Sequence, residues 1–270
     1  MNLLWKTIIS LSLCLSVSGC LSSPSEHTTE TFIDTSIGDA SYLNPILATD
    51  TTSGSINDLV YNGLVQYDKN LVIVGDLAER WRVSRDGRTI TFYLRKDVRW
   101  HDGEPFTARD VEFTYTKLID PTVKTPYASK YLLVKHFTVI DAHTIRVQYG
   151  KPFAPALISW GMGILPEHIF RTGDFNTHPA NRKPVGTGPF KFSEWLTDQR
   201  IVLTANHEYF EGTPGFETYI LRIIPDQGVQ FLELRNKTID MMTLSPDMYY
   251  AYDEFFEHYN KFRYPAFSYT

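Results

Sequence analysis

Cysteine is nearly absent from this chain of 270 residues, which contains only Cys14 and Cys20. Both lie within the first twenty residues, so the body of the protein carries no thiol. This excludes disulfide bonds and thiol nucleophiles from the body. Stability must therefore come from packing, which the 43% hydrophobic and 14% aromatic composition allows.

Clusters of basic residues are also lacking. The formal net charge is −5, and no stretch of Lys and Arg resembles one that follows a phosphate backbone. We therefore expect no nucleic-acid partner.

The signatures of several enzyme classes are missing. The segment His207-Glu208-Tyr209-Phe210 lacks the second His of a zinc protease motif, and there is no Gly-x-Ser-x-Gly elbow. Gly161-Met162-Gly163 and Gly186-Thr187-Gly188 do not have phosphate-loop spacing and are more typical of tight turns. Asp102 and Glu104 form a carboxylate pair, but in a turn such a pair is usually solvated. We expect no catalytic activity, no metal and no cofactor.

The N-terminus has the pattern of an export signal. Lys6 supplies the positive charge, residues 7–17 are mostly apolar, and Ser18 and Gly19 form a small-residue neck. The apolar stretch is too short for a membrane-spanning helix.

The segment Val17-Ser18-Gly19-Cys20 resembles the lipobox of bacterial lipoproteins. This resemblance implies that residues 1–19 are a lipoprotein signal peptide and that the Cys20 thiol is acylated. The protein would then be exported to the periplasm or cell surface and lipid-anchored to a membrane. The alternative is an ordinary signal peptide with an incidental cysteine.

After the signal, 251 residues are enough for one large domain or two modest ones. Residues 20–31 are too polar to pack, so we predict a flexible tether. The rest predicts a mixed α and β fold, α/β in class.

Local patterns predict individual strands and helices. Residues 89–94 alternate, and Asp86-Gly87 before them is typical of a hairpin turn. Thr107 and Asp110 form a helix start signal. The predicted elements and their inward residues are a strand with Ile90, Phe92 and Leu94, a helix with Val111, Tyr115 and Leu118, a strand with Ile145, Val147 and Tyr149, a short helix over 155–160, paired strands at 190–192 and 201–203, a strand with Tyr219, Leu221 and Ile223, and a helix over 227–236.

Seven motifs in order resemble one family. They are Ser41-Tyr42-Leu43-Asn44-Pro45, Tyr61-Asn62-Gly63-Leu64, Leu77-Ala78-Glu79-Arg80-Trp81 with Ser84-Arg85-Asp86-Gly87, Thr91 to Arg95, Val98 to Pro105 leading into Thr107 to Val111, Pro184 to Phe190, and Ala205 to Gly212. Together they resemble the bacterial extracellular solute-binding proteins of family 5, the peptide-binding components of ABC importers. Phe210 stands where the family usually has Trp.

The resemblance implies a type II periplasmic-binding-protein-like lobe with an accessory domain. Lobe I would be discontinuous, formed by residues 32–55 and 184–262, with residues 56–183 as the accessory domain. Members of the family are much longer, and a C-terminal domain forms their second jaw. We therefore expect that jaw to be missing here, with residues 263–270 as its beginning.

The resemblance also implies a half-site for ligand. In peptide-binding members, extended peptide adds as a strand to the segment that corresponds here to Thr49, Asp50, Thr51 and Thr52. Asp50 would meet a ligand's α-ammonium, or alternatively cap a loop. Tyr127 would line the pocket as an aromatic wall, or alternatively pack in the core. Leu244 and Ser245 would lie on a loop that approaches the ligand.

We therefore expect a non-enzymatic, lipid-anchored binding protein that captures peptide or another small solute for ABC permease subunits. Two alternatives stay open: a surface interaction or structural lipoprotein, and a non-functional truncated fragment. The identity of the solute is open as well, since relatives on this scaffold bind dipeptides, longer peptides, metal chelates and sugars.

Overall fold

The computed structural model of the protein describes residues 30–251 and 254–262. The export signal, Cys20, most of the predicted tether and residues 263–270 lie outside the described residues. Two four-stranded sheets, one short hairpin and six α-helices make up most of what is described.

The first sheet joins the two ends of the described chain. Its strands are β1 (Thr31–Ser36), β8 (Phe190–Leu196), β9 (Arg200–Ala205) and β10 (Thr218–Ile223). The order is β1-β10-β9-β8, with β1 parallel to β10 and the other pairs antiparallel. Since β1 is followed in this sheet by β8, which begins more than 150 residues later, the chain between Ser36 and Phe190 leaves this sheet and returns to it.

The second sheet is formed by the middle of the chain. It contains β4 (Ala78–Val83), β5 (Thr89–Leu94), β6 (Val134–Asp141) and β7 (Thr144–Tyr149), in the order β4-β5-β7-β6 and antiparallel throughout. A hairpin of β2 (Val65–Tyr67) and β3 (Ile73–Gly75) precedes it. The predicted domain boundaries stay a prediction.

The helices are α1 (Thr51–Val60), α2 (Ala108–Ile119), α3 (Ala128–Tyr131), α4 (Glu167–Phe170), α5 (Gln227–Arg235) and α6 (Pro246–Ala251). Five short 3-10 helices lie at Ala154–Ala156, Ile158–Gly161, Phe175–Thr177, Pro179–Asn181 and Phe255–His258.

The local predictions from the sequence are largely confirmed. The inward residues of β5 and β7 are buried, and α2 begins with a capping box of Thr107 and Asp110. The predicted short helix over 155–160 is instead two 3-10 turns, and Gly161 belongs to the second one. Pro155 has no backbone N–H to donate, which favours a short, tight turn there.

The apolar core is one large cluster that runs through both sheets. It includes Leu43 and Ile56 near α1, Phe92 and Val147 in the second sheet, and Leu203 in the first. A second, smaller cluster of Phe231, Leu234, Ile239 and Phe256 packs beside β1.

Candidate functional site

The carboxylate of Asp50 caps helix α1. One carboxylate oxygen accepts from the backbone N–H of Ser53 at 2.7 Å, and the other accepts from the Ser53 hydroxyl at 2.8 Å. The hydroxyl and backbone N–H of Ser41 donate to it as well. Burial acts to raise the pKa of Asp50, but these hydrogen bonds outweigh burial and the net pKa lies below its ordinary value. Asp50 is therefore an anion at neutral pH, held at the start of a helix.

The segment from Thr49 to Thr52 is not the extended strand edge that the resemblance implied. Thr51 and Thr52 form the first turn of α1, and the Thr52 hydroxyl donates to the carbonyl of Gly38 at 2.8 Å. The capping bond from Asp50 to Ser53 starts the helix, and helical residues cannot pair with a peptide as a strand. That binding mode is wrong for Thr51 and Thr52, whereas a ligand contact by Thr49 or Asp50 stays a prediction.

Tyr127 lies beside this segment. Its hydroxyl donates to the carbonyl of Ala48 at 2.6 Å, one residue before Thr49. The half-buried ring packs against the large cluster, and the ammonium of Lys130 lies 5.8 Å from the ring centre. The structure therefore brings together two predicted site elements that are 79 residues apart in sequence. The ring also serves in packing, as the alternative interpretation held.

Leu244 and Ser245 directly precede helix α6. Leu244 packs against the second apolar cluster, and the Ser245 hydroxyl accepts from the backbone N–H of Met248 at 3.3 Å, at the start of α6. The contacts of the described residues do not bring this pair to Thr49–Thr52. Their predicted ligand contact stays a prediction.

Two exposed apolar residues near β1 were missed by the sequence analysis. Ile37 is 61% exposed directly after β1, and Met241 is 42% exposed. The Met241 N–H donates to the carbonyl of Ile33 at 3.2 Å and its carbonyl accepts from the hydroxyl of Thr35 at 3.3 Å, so Met241 lies alongside β1. The signal was an apolar residue in Ser36-Ile37-Gly38, just past an alternating strand.

We call the surface formed by Ile37, Gly38, Thr49 and Asp50 the β1 rim. Its parts are linked by the bond from Thr52 to Gly38 and by a 2.7 Å hydrogen bond between the hydroxyls of Ser36 and Thr52. The β1 rim combines an ionised carboxylate with open apolar surface. Such a surface suits a ligand that has a cationic end and an apolar body.

The opposite end of α1 is held by a buried polar network. Asn62 donates to Asp76 at 2.9 Å and to the hydroxyl of Tyr209 at 3.1 Å, and accepts from the Thr187 hydroxyl at 2.9 Å. Burial raises the pKa of Asp76 to about 7, with the nearby Glu211 carboxylate adding to the effect. The network connects three of the motifs that carry the resemblance.

Glycines allow this close approach. A Cβ on Gly186 would lie 1.8 Å from the carbonyl oxygen of Val60, the last residue of α1. The backbone N–H of Gly188 donates to that same carbonyl at 2.8 Å. The end of α1 is thus pinned to the Gly-Thr-Gly segment, which determines where its beginning, at the β1 rim, is placed.

His101 fastens the same segment from the other side. Its Nδ1 accepts from the N–H of Gly186 at 3.2 Å, and its Nε2 lies 3.0 Å from the carbonyl oxygen of Gly188. Burial lowers the pKa of His101 to about 4, so the ring is neutral and Nε2 carries the proton that Gly188 accepts. Its role here is structural.

Residues 30–251 and 254–262 contain no group of three or more His, Cys, Asp and Glu side chains placed to hold a metal ion. Nor does any helix in this part of the chain have the length and apolar character to cross a membrane. The expectations of no metal, no cofactor and no catalysis stay predictions.

Comparison with known proteins gives a consistent result. Residues 72–270 match the family model for bacterial extracellular solute-binding proteins, family 5. The chain is 32% identical over 228 residues to the oligopeptide-binding protein AppA of Bacillus subtilis, covering 82% of this chain and 42% of AppA.

Solved structures show the same fold. The structure of Bacillus subtilis AppA with a nonapeptide superposes with a TM-score of 0.78 at 30% identity, covering 84% of this chain and 46% of AppA. NikZ of Campylobacter jejuni with Ni(L-His) also gives a TM-score of 0.78, at 27% identity, covering 83% of this chain and 45% of NikZ. The chain spans less than half the length of these relatives.

Proposed function

Because the chain belongs to the bacterial extracellular solute-binding proteins of family 5, we propose that it captures peptides outside the cytoplasm for an ABC importer. Members of this family are extracytoplasmic binding proteins, and the fold is the mixed α/β, type II binding-protein fold of its structural relatives. The observation that carries the proposal is the β1 rim, where the ionised carboxylate of Asp50 caps a helix that Thr52 ties to Gly38, the residue after exposed Ile37.

The chemistry of the β1 rim favours a peptide over an anionic solute. The Asp50 carboxylate would repel a ligand's carboxylate and attract its α-ammonium group. Asp50 is held in place for this contact because it accepts the backbone N–H of Ser53 at the start of α1. The exposed apolar side chain of Ile37 suits ligand side chains of varied sequence. Tyr127, tied to the backbone next to Thr49, would form the neighbouring wall.

The β1 rim is open to solvent, and this limits its affinity. In water, one net hydrogen bond contributes about 0.5–1.5 kcal/mol, while association costs at least about 4 kcal/mol. We therefore infer that strong capture requires a second lobe that closes over the ligand. The ligand then stabilises the closed conformation because it binds that conformation more tightly than the open one.

The test is calorimetric titration of the chain with a mixed library of tri- to pentapeptides. We expect a dissociation constant no tighter than about 1 mM, and tighter binding when the family's C-terminal domain is supplied in cis. In the form that carries the added C-terminal domain, Asp50→Asn should weaken peptide binding. Asp68→Asn, which changes an exposed carboxylate in a turn, should leave peptide binding unchanged. Micromolar binding by the 270-residue chain alone would contradict the half-site argument.

We also propose that Cys20 carries lipid and that the protein delivers its ligand to ABC permease subunits at the membrane. The support is the sequence Val17-Ser18-Gly19-Cys20 after an apolar stretch. Several acyl chains would hold the protein at the membrane face, while one alone would bind marginally.

A further inference from the structure

Two adjacent leucines are exposed on the part of the chain that carries the second sheet. Leu132 is 62% exposed and Leu133 is 40% exposed. They line a shallow surface cavity of about 320 Å³ whose residues are Leu132, Leu133, Lys135, Gly150, Lys151 and Phe153. We call this surface the Leu-Lys groove.

The fold leaves these leucines no place in the core. Tyr131, at the end of α3, is buried and its hydroxyl donates to the carbonyl of Ser159 at 2.5 Å. Val134, at the start of β6, is buried as well. With the residues on both sides directed inward, Leu132 and Leu133 are left on the outside of the turn. Exposed adjacent leucines lower solubility unless they have a partner.

The chain segment that carries the groove is basic. From residue 121 to residue 166 the only acidic residue is Asp141, whereas the basic residues are Lys124, Lys130, Lys135, Arg146 and Lys151. The ion pairs found among the described residues do not involve Lys135 or Lys151. The turn beside Pro152 contributes Asp86, but Arg88 neutralises it at 3.4 Å.

The stem of Lys135 lies along the backbone of Gly150. A Cβ built on Gly150 would come within 3.0 Å of Lys135 Cε. Gly150 is adjacent to Lys151 in the chain, and both lysines line the same cavity as the two leucines. The stems can rest on apolar surface while the ammonium groups reach outward.

We propose that the Leu-Lys groove docks on the surface of an anionic lipid bilayer. Leu132 and Leu133 enter the interface between headgroups and acyl chains, and Lys135 and Lys151 lie at the headgroup phosphates. Flexible ammonium groups suit diffuse lipid charge, whereas an acidic protein partner would favour the fixed geometry of Arg. Docking orients the protein on a membrane and needs no bound solute.

The test uses the full 270-residue chain in vesicles that contain lipids with nitroxide-labelled acyl chains. Leu132→Cys is labelled with bimane, and Leu71→Cys, at a leucine that is 66% exposed in the β2–β3 turn, is the matched control. The parent chain is labelled in the same way, and its signal measures the bimane attached to the native Cys14 and Cys20. Vesicles contain either about one-third phosphatidylglycerol or phosphatidylcholine alone. Flotation reports attachment separately from quenching.

We expect bimane at position 132 to be quenched at least about threefold more than at position 71, in phosphatidylglycerol vesicles only. Each lysine at an anionic surface raises the docked-to-undocked ratio about fivefold, so Lys135→Glu with Lys151→Glu should lower it by at least about 25-fold. Lys183→Glu with Lys237→Glu is the control of equal charge change, and high salt should reduce the effect.

Three results would overturn the proposal. These are equal quenching at positions 132 and 71 on phosphatidylglycerol vesicles, an equal effect of the two lysine pairs, and no chain floating with these vesicles. Shielding of the position-132 probe in native membranes but not in protein-free vesicles would assign the groove to a protein partner instead.

Discussion

At the scale of single residues, Asp50 serves structure and is the proposed ligand contact as well. The cap explains its lowered pKa and its fixed position, while its carboxylate stays partly accessible at the β1 rim. The charge and the cap are separable by mutation, because a neutral amide can still accept the helix N–H.

We predict that Asp50→Ala lowers the free energy of unfolding by about 1–2 kcal/mol, because the first turn of α1 loses its acceptor. Asp50→Asn should cost less than Asp50→Ala, since the amide oxygen still accepts the Ser53 N–H, although the amide nitrogen cannot accept from the Ser41 N–H. Urea denaturation at neutral pH measures both. Equal destabilisation by the two variants would show that charge, rather than capping, holds the segment.

Two buried groups, His101 and Asp76, couple the stability of the protein to pH in opposite directions. The pKa of His101 is about 4 in the folded chain and about 6.5 when unfolded. Between these values the unfolded state binds a proton that the folded state does not, so the contribution of His101 is lost as pH falls from 6.5 towards 4. Asp76 opposes it: its folded pKa of about 7 lies above its unfolded value, and its contribution is lost as pH rises through 7.

We predict that the free energy of unfolding contributed by His101 is smaller by about 2 kcal/mol at pH 5 than at pH 7. His101→Gln should therefore be more destabilising at pH 7 than at pH 5, since Gln does not titrate. Comparing urea midpoints of the variant and the parent at both values cancels the opposite effect of Asp76. The same difference in urea midpoint at pH 5 and pH 7 would contradict the prediction that the buried His101 imidazole is neutral.

At the scale of elements, α1 depends on its packing more than on its sequence. Its residues Thr51-Thr52-Ser53-Gly54-Ser55 are weak helix formers. The cap at one end and the Gly186 contact at the other hold it in place. Since α1 connects the β1 rim to the polar network around Asn62, a mutation at either end of α1 should alter the position of Asp50.

We predict opposite effects for two glycine substitutions. Gly186→Ala should cost at least about 3 kcal/mol or prevent folding, because its Cβ would overlap the carbonyl oxygen of Val60. Gly54→Ala, within α1 and with open space around its Cβ, should stabilise the protein by about 0.5–1 kcal/mol. Thermal melts of both variants and of Gly215→Ala, an open loop position, provide the comparison.

At the scale of the whole molecule, one core joins the two sheets, and two membrane contacts are proposed. The Leu-Lys groove is on the second-sheet portion, and the proposed lipid site at Cys20 precedes β1. Two weak contacts on one protein reinforce each other, because the first raises the effective concentration of the second.

We predict that Cys20→Ser abolishes lipid modification and leaves the protein either unprocessed or released from the membrane, since no other group at that site forms a thioether. Cell fractionation and mass spectrometry of the N-terminus check this, with Ser22→Cys as a control for position. Mature Cys20→Ser protein that stays with membranes as the parent does would contradict the lipobox interpretation.

The sequence determined the family, the fold class and most of the secondary structure of this protein. Alternation in β5 and β7 and the capping box of α2 are local patterns, and their burial follows from them. Glycine and asparagine motifs carried the family resemblance because close backbone contacts, such as that of Gly186 with Val60, tolerate few alternatives.

Only the tertiary structure decided the conformation and surroundings of the candidate site. The weak helix propensities of residues 51–55 did not predict helix α1, because a cap and distant contacts stabilise it. Thr51 and Thr52, which we expected in an extended strand, are therefore helical. The meeting of Tyr127 with Ala48, and the exposure of Ile37, Leu132 and Leu133, depend on which faces other elements cover. Such contacts join residues far apart in sequence, so no local pattern encodes them.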